Sequence, residues 1–460
     1  MTLSRRDIVR LAAGSGAAAA LAQLGRSASM AQTRAPYRAM VGVFLFGGAD
    51  GWNMIVPTDD RYAGYAAGRG PQLALAREAL KPLAGTPFGL HPSLAPLRPL
   101  WDKGSLNVVL NTGVLFQPLD RRLYLSRPDL RPLHLMSHSG QQHVWQGLQA
   151  RAMNVDGFMG RINDRMDGAP AISPLISVAG SSLALLGQRS SPLVLPPTGS
   201  IARHGYDASS RDAVVVARQA GLTAFADADS QGPVTRLTGL GFSRAYDQAF
   251  AANAILTRTA TVDAYFKDAK GVMLNTDIAA QLLRIARLIE ARSALGHARQ
   301  IFFAGHGSYD THAGQVDETD NTAGRQANLY AALAAALAAF QKAMEALGVA
   351  ADVTTFTLSD FGRVYRGNAQ AGSDHAWGSN HLVIGGGLAG ARIHGRYPDT
   401  TFRGPEDSSD DGRWIPSIAL EEYLGGVVQR FGVPAADMPY VFPNWASWNG
   451  GGRGPVPLFG

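Results

Sequence analysis

Short runs rich in apolar and β-branched residues recur along the chain, separated by turn-rich stretches or by segments of helical spacing, the pattern of an α/β sheet protein. Strands are expected over residues 40–46, 106–110, 300–304 and 353–358, with a further one at 381–384. Helical periodicity predicts a helix over 276–292, with Ile278, Leu282, Ile285 and Ile289 on one face, and a second, alanine-rich one over 323–347. Both have the character of layers covering a sheet. Several predicted strands run straight into polar residues, and the carboxyl ends of strands are where open α/β sheets bind ligands. Residues 168–235, rich in Ser, Gly and Pro, read as an irregular insertion or a lobe at the mouth of a site, and the Trp- and Gly-rich stretch 442–460 as a surface wrap. No repeat of solenoid spacing is present.

Composition narrows the class. The 460 residues are 46% hydrophobic and 17% charged, with no cysteine, which excludes a disordered chain, a disulfide scaffold and any thiolate mechanism. Of the formal charge of +6, half sits in residues 1–31, where Arg5, Arg6, Arg10 and Arg26 face Asp7 alone. The rest carries no basic stripe, so no nucleic-acid partner is expected.

Residues 1–31 read as an address. Ser4-Arg5-Arg6-Asp7-Ile8-Val9-Arg10 leads into a weakly apolar run from Leu11 to Leu24 and then Ser29-Met30-Ala31, a small-x-small cleavage site. This looks like a twin-arginine export signal. A membrane-anchoring helix is the alternative, but the run is shorter than the roughly 20 residues a span needs. The expectation is a signal at 1–31, a single mature domain at 32–460 without a stable membrane span, a periplasmic or extracellular location, and the twin-arginine machinery as export partner.

Five polar clusters follow predicted strands. Phe46-Gly47-Gly48-Ala49-Asp50-Gly51 presents Asp50 after a tight turn, either to a cation or as a cap. In His134-Leu135-Met136-Ser137-His138, Ser137 is a nucleophile candidate, a phosphate-binding hydroxyl or a helix N-cap. Asp310 and His312 are two apart, so in extended backbone both point the same way, as two ligands of one metal would. Asp360 and Arg363 form either a ligand with an anion clamp or a buried ion pair. Asp374, His375 and His381 lie in a glycine-punctuated loop. Independent structural histidines do not gather beside acids at successive strand ends, so together the clusters point to a metal or acid/base centre.

Gly47-Gly48-Ala49-Asp50-Gly51, Gly89-Leu90-His91-Pro92, Ser137-His138, Asp310-Thr311-His312-Ala313-Gly314-Gln315, Ser359-Asp360-Phe361-Gly362-Arg363, Ser373-Asp374-His375-Ala376-Trp377-Gly378 and Gly385-Gly386-Gly387 run in an order that resembles the DUF1501 family of exported bacterial proteins. The resemblance covers nearly all of residues 32–460. That family is similar to the alkaline phosphatase and sulfatase superfamily. The resemblance implies a three-layer α/β sandwich with a large, mostly parallel sheet and one or two metals at the strand ends. Carried over by position, it implies Asp50 as the first-strand ligand, Ser137 as nucleophile, Asp310 with His312 as a ligand pair, Asp360 as the late acidic ligand and His375 as the final histidine. Asp374 and His381 are kept as spare ligands, and His138 and Arg363 join Ser137 as catalytic candidates. Two departures bear on a second metal: Phe361 stands where a histidine directly after the late Asp is usual, and Asp310 and His312 are closer than the usual pair. With no cysteine, a formylglycine sulfatase is excluded.

The expected cofactor is a divalent metal, Zn first, with Mn or Ca as alternatives. The expected activity is hydrolysis of phosphate or sulfate esters, of an anionic substrate from the cell envelope. A divalent ion lowers the pKa of a coordinated Ser137 or water, and Arg363 or the helix start after Ser137 stabilises developing charge. Ligating histidines must be neutral, so activity falls below roughly pH 6. The alternative is a catalytically degenerate member of the same fold, acting as a periplasmic binding or assembly protein.

Overall fold

The computed structural model describes residues 36–166, 170, 172–200, 210–226, 232–256 and 260–460. The expected export signal at 1–31 lies outside the described residues. Nine strands form one sheet: β1 (Arg38–Leu45), β5 (Leu106–Gly113), β6 (Leu175–Ser177), β7 (Leu193–Val194), β8 (Arg299–His306), β9 (Val353–Ser359), β10 (Ser379–Gly385), β11 (Arg392–His394) and β12 (Ile418–Ala419). The intervening β2 (Ile55–Pro57), β3 (Lys81–Pro82) and β4 (Phe88–Leu90) make a small separate sheet. The order in the large sheet is β11-β5-β10-β9-β1-β8-β6-β7, with β12 also on β5. Only β10 runs antiparallel to its neighbours, so the sheet is mostly parallel.

The two faces follow from alternation along β1. Ala39, Val41, Val43 and Leu45 belong to one apolar core, beneath the helices Asp277–Glu290 and Arg325–Ala346. Met40 and Phe44 belong to the other, beneath the helices His138–Gly147, Phe158–Asp164 and Leu420–Phe431. This is the three-layer α/β sandwich. Central parallel strands are covered on both faces, which is why β1 and the middle of β8 read as nearly continuous apolar runs, while β9, also buried throughout, mixes β-branched threonines with Val353, Phe356 and Leu358. In the helix Asp277–Glu290 the side chains Ile278, Leu282, Ile285 and Ile289 are all buried, as their spacing predicts. Among the described residues, no helix is long and apolar enough to cross a membrane.

Two expectations need correction. Residues 168–235 are not simply an irregular insertion: their described part contributes β6 and β7 to the sheet beyond β8, followed by a helix at Ala213–Ala226. Nor is 442–460 only a wrap, because Phe442, Trp448 and Leu458 are buried, and Val456 N donates to Glu422 O at 2.8 Å on the helix Leu420–Phe431.

Register sets up the site. Leu45 pairs with His306 on one side and Ser359 on the other, so the carboxyl ends of β1, β8 and β9 are level. Their loops therefore emerge side by side. Antiparallel β10 begins at this same edge, and the connection from β9 to β10 folds back on itself through an Arg363–His375 bridge. Ser359 Oγ links the strands by accepting from Ala49 N at 2.9 Å and donating to Leu45 O at 2.8 Å.

Candidate metal centre

The centre is built around Asp310, in the loop after β8. Three imidazoles approach its carboxylate. His138, the first residue of the helix His138–Gly147, has Nε2 at 3.4 Å from Asp310 Oδ2. His375 Nε2 lies 3.3 Å from Asp310 Oδ1, and His312 Nε2 lies 3.1 Å from the same oxygen. His138, Asp310 and His375 offer ligand atoms within 4.8 Å of one another, a triad that could hold a metal ion.

What the opposite ring nitrogens do fixes the tautomers. His138 Nδ1 donates to Asp360 Oδ2 at 2.7 Å, His375 Nδ1 to the Met136 carbonyl at 2.8 Å and His312 Nδ1 to Asp374 Oδ1 at 2.8 Å. Each of these partners can accept at Nδ1, so in a neutral ring the proton is favoured there and Nε2 is left to present a lone pair. All three lone pairs turn toward one carboxylate. His312 Nε2 and His375 Nε2 are 2.8 Å apart, which requires a proton or a cation to bind them. His138 Nε2 is buried and has no hydrogen-bond partner. A buried polar atom without a partner is unfavourable, and here it points where a cation would sit. The donor set, neutral imidazoles anchored from behind together with a carboxylate, has the form of a metal's first and second spheres.

Burial raises the proton affinity of Asp310, but hydrogen bonding and charge from Arg363, with His312 and His138, outweigh it and bring its pKa to about 2. Burial lowers that of His375, as do the charges of Arg363 and His138, against the opposing pull of the Met136 carbonyl and Asp310. Both effects keep the ligands in their metal-binding forms. The ring of Phe361 lies 4.6 Å from that of His375 and 4.8 Å from that of His138, holding both imidazoles. The side chains of Asp310, His312 and Asp374 are 45%, 47% and 51% exposed, so the centre is open to a substrate from outside.

Backbone strain surrounds the centre. His134, Met136, Ser308 and Ala371 all have positive φ without being glycine, and the left-handed turn at Met136 delivers the carbonyl that orients His375. Gly47 has φ +110°, and a Cβ there would strike the backbone amide of Asp310. Gly47→Ala is expected to cost about 1–3 kcal/mol and to lower metal affinity by displacing Asp310, as read by urea denaturation and metal titration.

Several expected roles are not the ones these positions support. Asp50 is not at the centre: it is buried against Arg69 and accepts from Gln315 Nε2 at 2.6 Å and Trp52 N at 3.2 Å. Asp360 is fully buried one step behind the centre, where Oδ1 accepts from Gly47 N at 3.2 Å and Oδ2 serves His138 and Gln142 Nε2 at 3.0 Å. Asp374 likewise backs His312. His381 lies in the core, with Nδ1 3.3 Å from Thr357 Oγ1 and the ring between Trp145 and Tyr423, where burial lowers its pKa to about 3. Arg363 is no free anion clamp: its guanidinium is buried and bonded to Gly47 O, Gly48 O, Tyr309 O, Ser373 O and Asp310. Ser137 is the N-cap of its helix, its hydroxyl accepting from Gly140 N at 3.4 Å. Gln142 and the Met136 carbonyl had not been anticipated. Gln142 stands four residues after His138 on the same helix face, a spacing legible in sequence.

The fold and this centre define an α/β sheet protein with a candidate histidine–carboxylate metal site at its strand ends. Residues 132–409 match the family described as a protein of unknown function, DUF1501, and the chain belongs to that family. A search of curated protein sequences finds no match. Among solved structures, a crystal structure of a quadruple variant of the alkaline phosphatase PafA is similar at 10% sequence identity and a TM-score of 0.30, over 72% of this chain and 64% of that one. The chain thus spans less than two thirds of the length of that phosphatase.

Proposed function

We propose that the protein is an exported, metal-dependent hydrolase of phosphate or sulfate esters, with Zn held by Asp310, His138, His375 and His312. The observation that carries this reading is the occupation of all three Nδ1 atoms by acceptors, which turns three Nε2 lone pairs on one carboxylate. The separations of 3.1, 3.3 and 3.4 Å between Asp310 oxygens and the Nε2 atoms are close to the edge of a tetrahedron with bonds of about 2.05 Å, roughly 3.3 Å. Bound there, the ion supplies Lewis-acid polarisation of an ester oxygen and acidifies a bound water.

The chain's own residues do the remaining work. Asp360 and Asp374 hold two imidazoles in the ligating tautomer, and Phe361 packs two of the rings. The helix His138–Gly147 begins at the centre, so its positive end favours an anion there. Ser137, immediately before it, is the nucleophile candidate, with a metal-activated water as the other. The open rim favours an ester carried on a larger, envelope-derived molecule. Export by the twin-arginine route to the periplasm or beyond rests on the reading of residues 1–31.

A binding or assembly role without turnover is the second reading, favoured by the capping engagement of Ser137 and the internal bonding of Arg363. Elemental analysis and ester turnover separate the two. The purified chain is expected to retain Zn and turn over generic phosphate or sulfate esters, and Asp310→Asn to lower both the metal content and the rate at least about ten-fold. A folded wild-type chain that takes up no divalent metal rules the hydrolase out; metal retained without turnover of any ester leaves the binding role.

A further inference from the structure

The acidic side chains near the centre differ in what they have left to offer. Asp360 is fully buried and both its oxygens already accept, from Gly47 N and from His138 and Gln142. Both oxygens of Asp50 are taken by Trp52 N, Gln315 and Arg69. Asp374 Oδ1 accepts from His312 Nδ1 at 2.8 Å and from Asn368 Nδ2 at 3.4 Å. Asp310 alone faces the three Nε2 atoms: Oδ2 lies 3.4 Å from His138, while Oδ1, at 3.3 and 3.1 Å from His375 and His312, also accepts from Arg363 Nη2 at 2.6 Å. Among the described residues, His138, Asp310 and His375 are the group whose ligand atoms all lie within 4.8 Å of one another, a donor set for a single ion.

Arg363 reinforces the count. Nε donates to Gly48 O and Nη1 to Ser373 O, both at 2.8 Å, and Nη2 is shared among Gly47 O, Tyr309 O and Asp310 Oδ1. Its guanidinium is locked by four loop carbonyls beside the ligating carboxylate, a permanent cation that cannot turn outward. Charge gives the same answer. Asp310, Asp360 and Asp374 against Arg363 leave two negative charges, with Asp50 already matched by Arg69. One divalent ion cancels them, and a second would leave the site strongly positive.

Resting on the hydrolase reading, we propose that this centre takes one divalent ion, with Arg363 as its fixed second cation and Asp360 as a positioning residue, and that it selects singly charged esters. Phosphodiesters and sulfate monoesters carry one negative charge, whereas a phosphomonoester carries close to two above its second pKa of about 6. A locally neutral loaded site has no surplus positive charge to meet the second. The ester bond breaks by attack of water, whose oxygen joins phosphorus or sulfur, while the leaving oxygen takes the proton.

The test uses the full chain loaded with Zn and desalted. Metal is counted by elemental analysis, affinity is measured by calorimetric titration, and turnover is compared at pH 8 for bis-p-nitrophenyl phosphate, p-nitrophenyl sulfate and p-nitrophenyl phosphate. One Zn per chain is expected, with kcat/KM for the diester or the sulfate at least about ten-fold above the phosphomonoester. Asp360→Asn turns an amide toward His138 Nδ1 and so disturbs its tautomer, raising the Kd for Zn about 10–100-fold with the count still one. Gln142→Ala, which strips one bond from the same oxygen, should raise Kd without changing the count, and serves if the buried variant does not fold. Two Zn per chain, falling to one in Asp360→Asn, or a preference for the phosphomonoester, overturns the proposal while the hydrolase reading stands. Absence of any bound Zn ends both.

Discussion

Arg69→Met lowers folding stability by about 3–5 kcal/mol while the folded fraction still binds metal, because the change strands a buried carboxylate that is not among the candidate ligands. Asp50 and Arg69 are 1% and 0% exposed at their side chains, so neither charge has water to fall back on. Arg69 also donates to Asn53 Oδ1 at 3.1 Å and to the carbonyls of Val364 and Tyr365 at 3.2 and 3.1 Å. Removing it leaves Asp50 with Gln315 and one backbone amide, and leaves those carbonyls without their donor. Urea denaturation at pH 7 measures the loss. Adding Asp50→Asn should recover part of it, since the second change removes the unmatched charge, and the non-additivity of the cycle reports the pair. A cost for Arg69→Met below about 1 kcal/mol, or metal lost from a well-folded Asp50→Asn variant, would return Asp50 to the role of ligand.

That contrast marks where sequence stops being informative. Strands β1 and β8 are legible because burial on both faces leaves apolar runs, and β9 because its residues are mostly β-branched, whereas β6, β7 and β12 are only two or three residues long and carry no period. The gathering of Asp310, His312, Asp374 and His375 at one edge is likewise readable, since each follows or precedes a recognisable strand. Which acid ligates and which supports is not. That depends on partners distant along the chain: Asp50 meets Arg69 after 19 residues, Arg363 meets Asp310 across 53, and His138 meets Asp360 across 222. An arginine at close range turns a would-be ligand into half of an ion pair, and no local pattern announces it. His381 is a similar case, because its place within β10, between Leu382 and Asn380, points it into the core beside Trp145 instead of toward the loop it follows.

Glu421→Gln makes the protein more stable above neutral pH by an amount on the order of 3 kcal/mol. Two acids stand in the first turn of the helix Leu420–Phe431, where the helix dipole welcomes negative charge. Glu422 finds Arg453 at 2.6 Å and caps Ala419 N at 2.9 Å. Glu421 turns inward instead, 3% exposed, toward a pocket lined by Val114, Leu115, Val144, Leu148 and Ala150. Burial raises its pKa from 4.5 to about 8, with its own backbone amide and Asn444 pulling down and the neighbouring Glu422 pushing up. Between those two values the folded chain holds a proton that the unfolded chain has released. Its contribution is therefore fully present below about pH 4.5 and is lost as pH rises through about 8. Unfolding free energies from urea at pH 5 and pH 8.5 should diverge in the wild type and draw together in Glu421→Gln, where the amide keeps the shape and cannot ionise. Parallel curves for the two proteins would mean that Glu421 ionises in the fold as freely as outside it. Because Val144 belongs to the helix that starts at His138 and Leu148 directly follows it, alkaline loosening of this pocket is expected to lower metal affinity in the wild type before it unfolds the chain, as read by Zn titration across the same pH range.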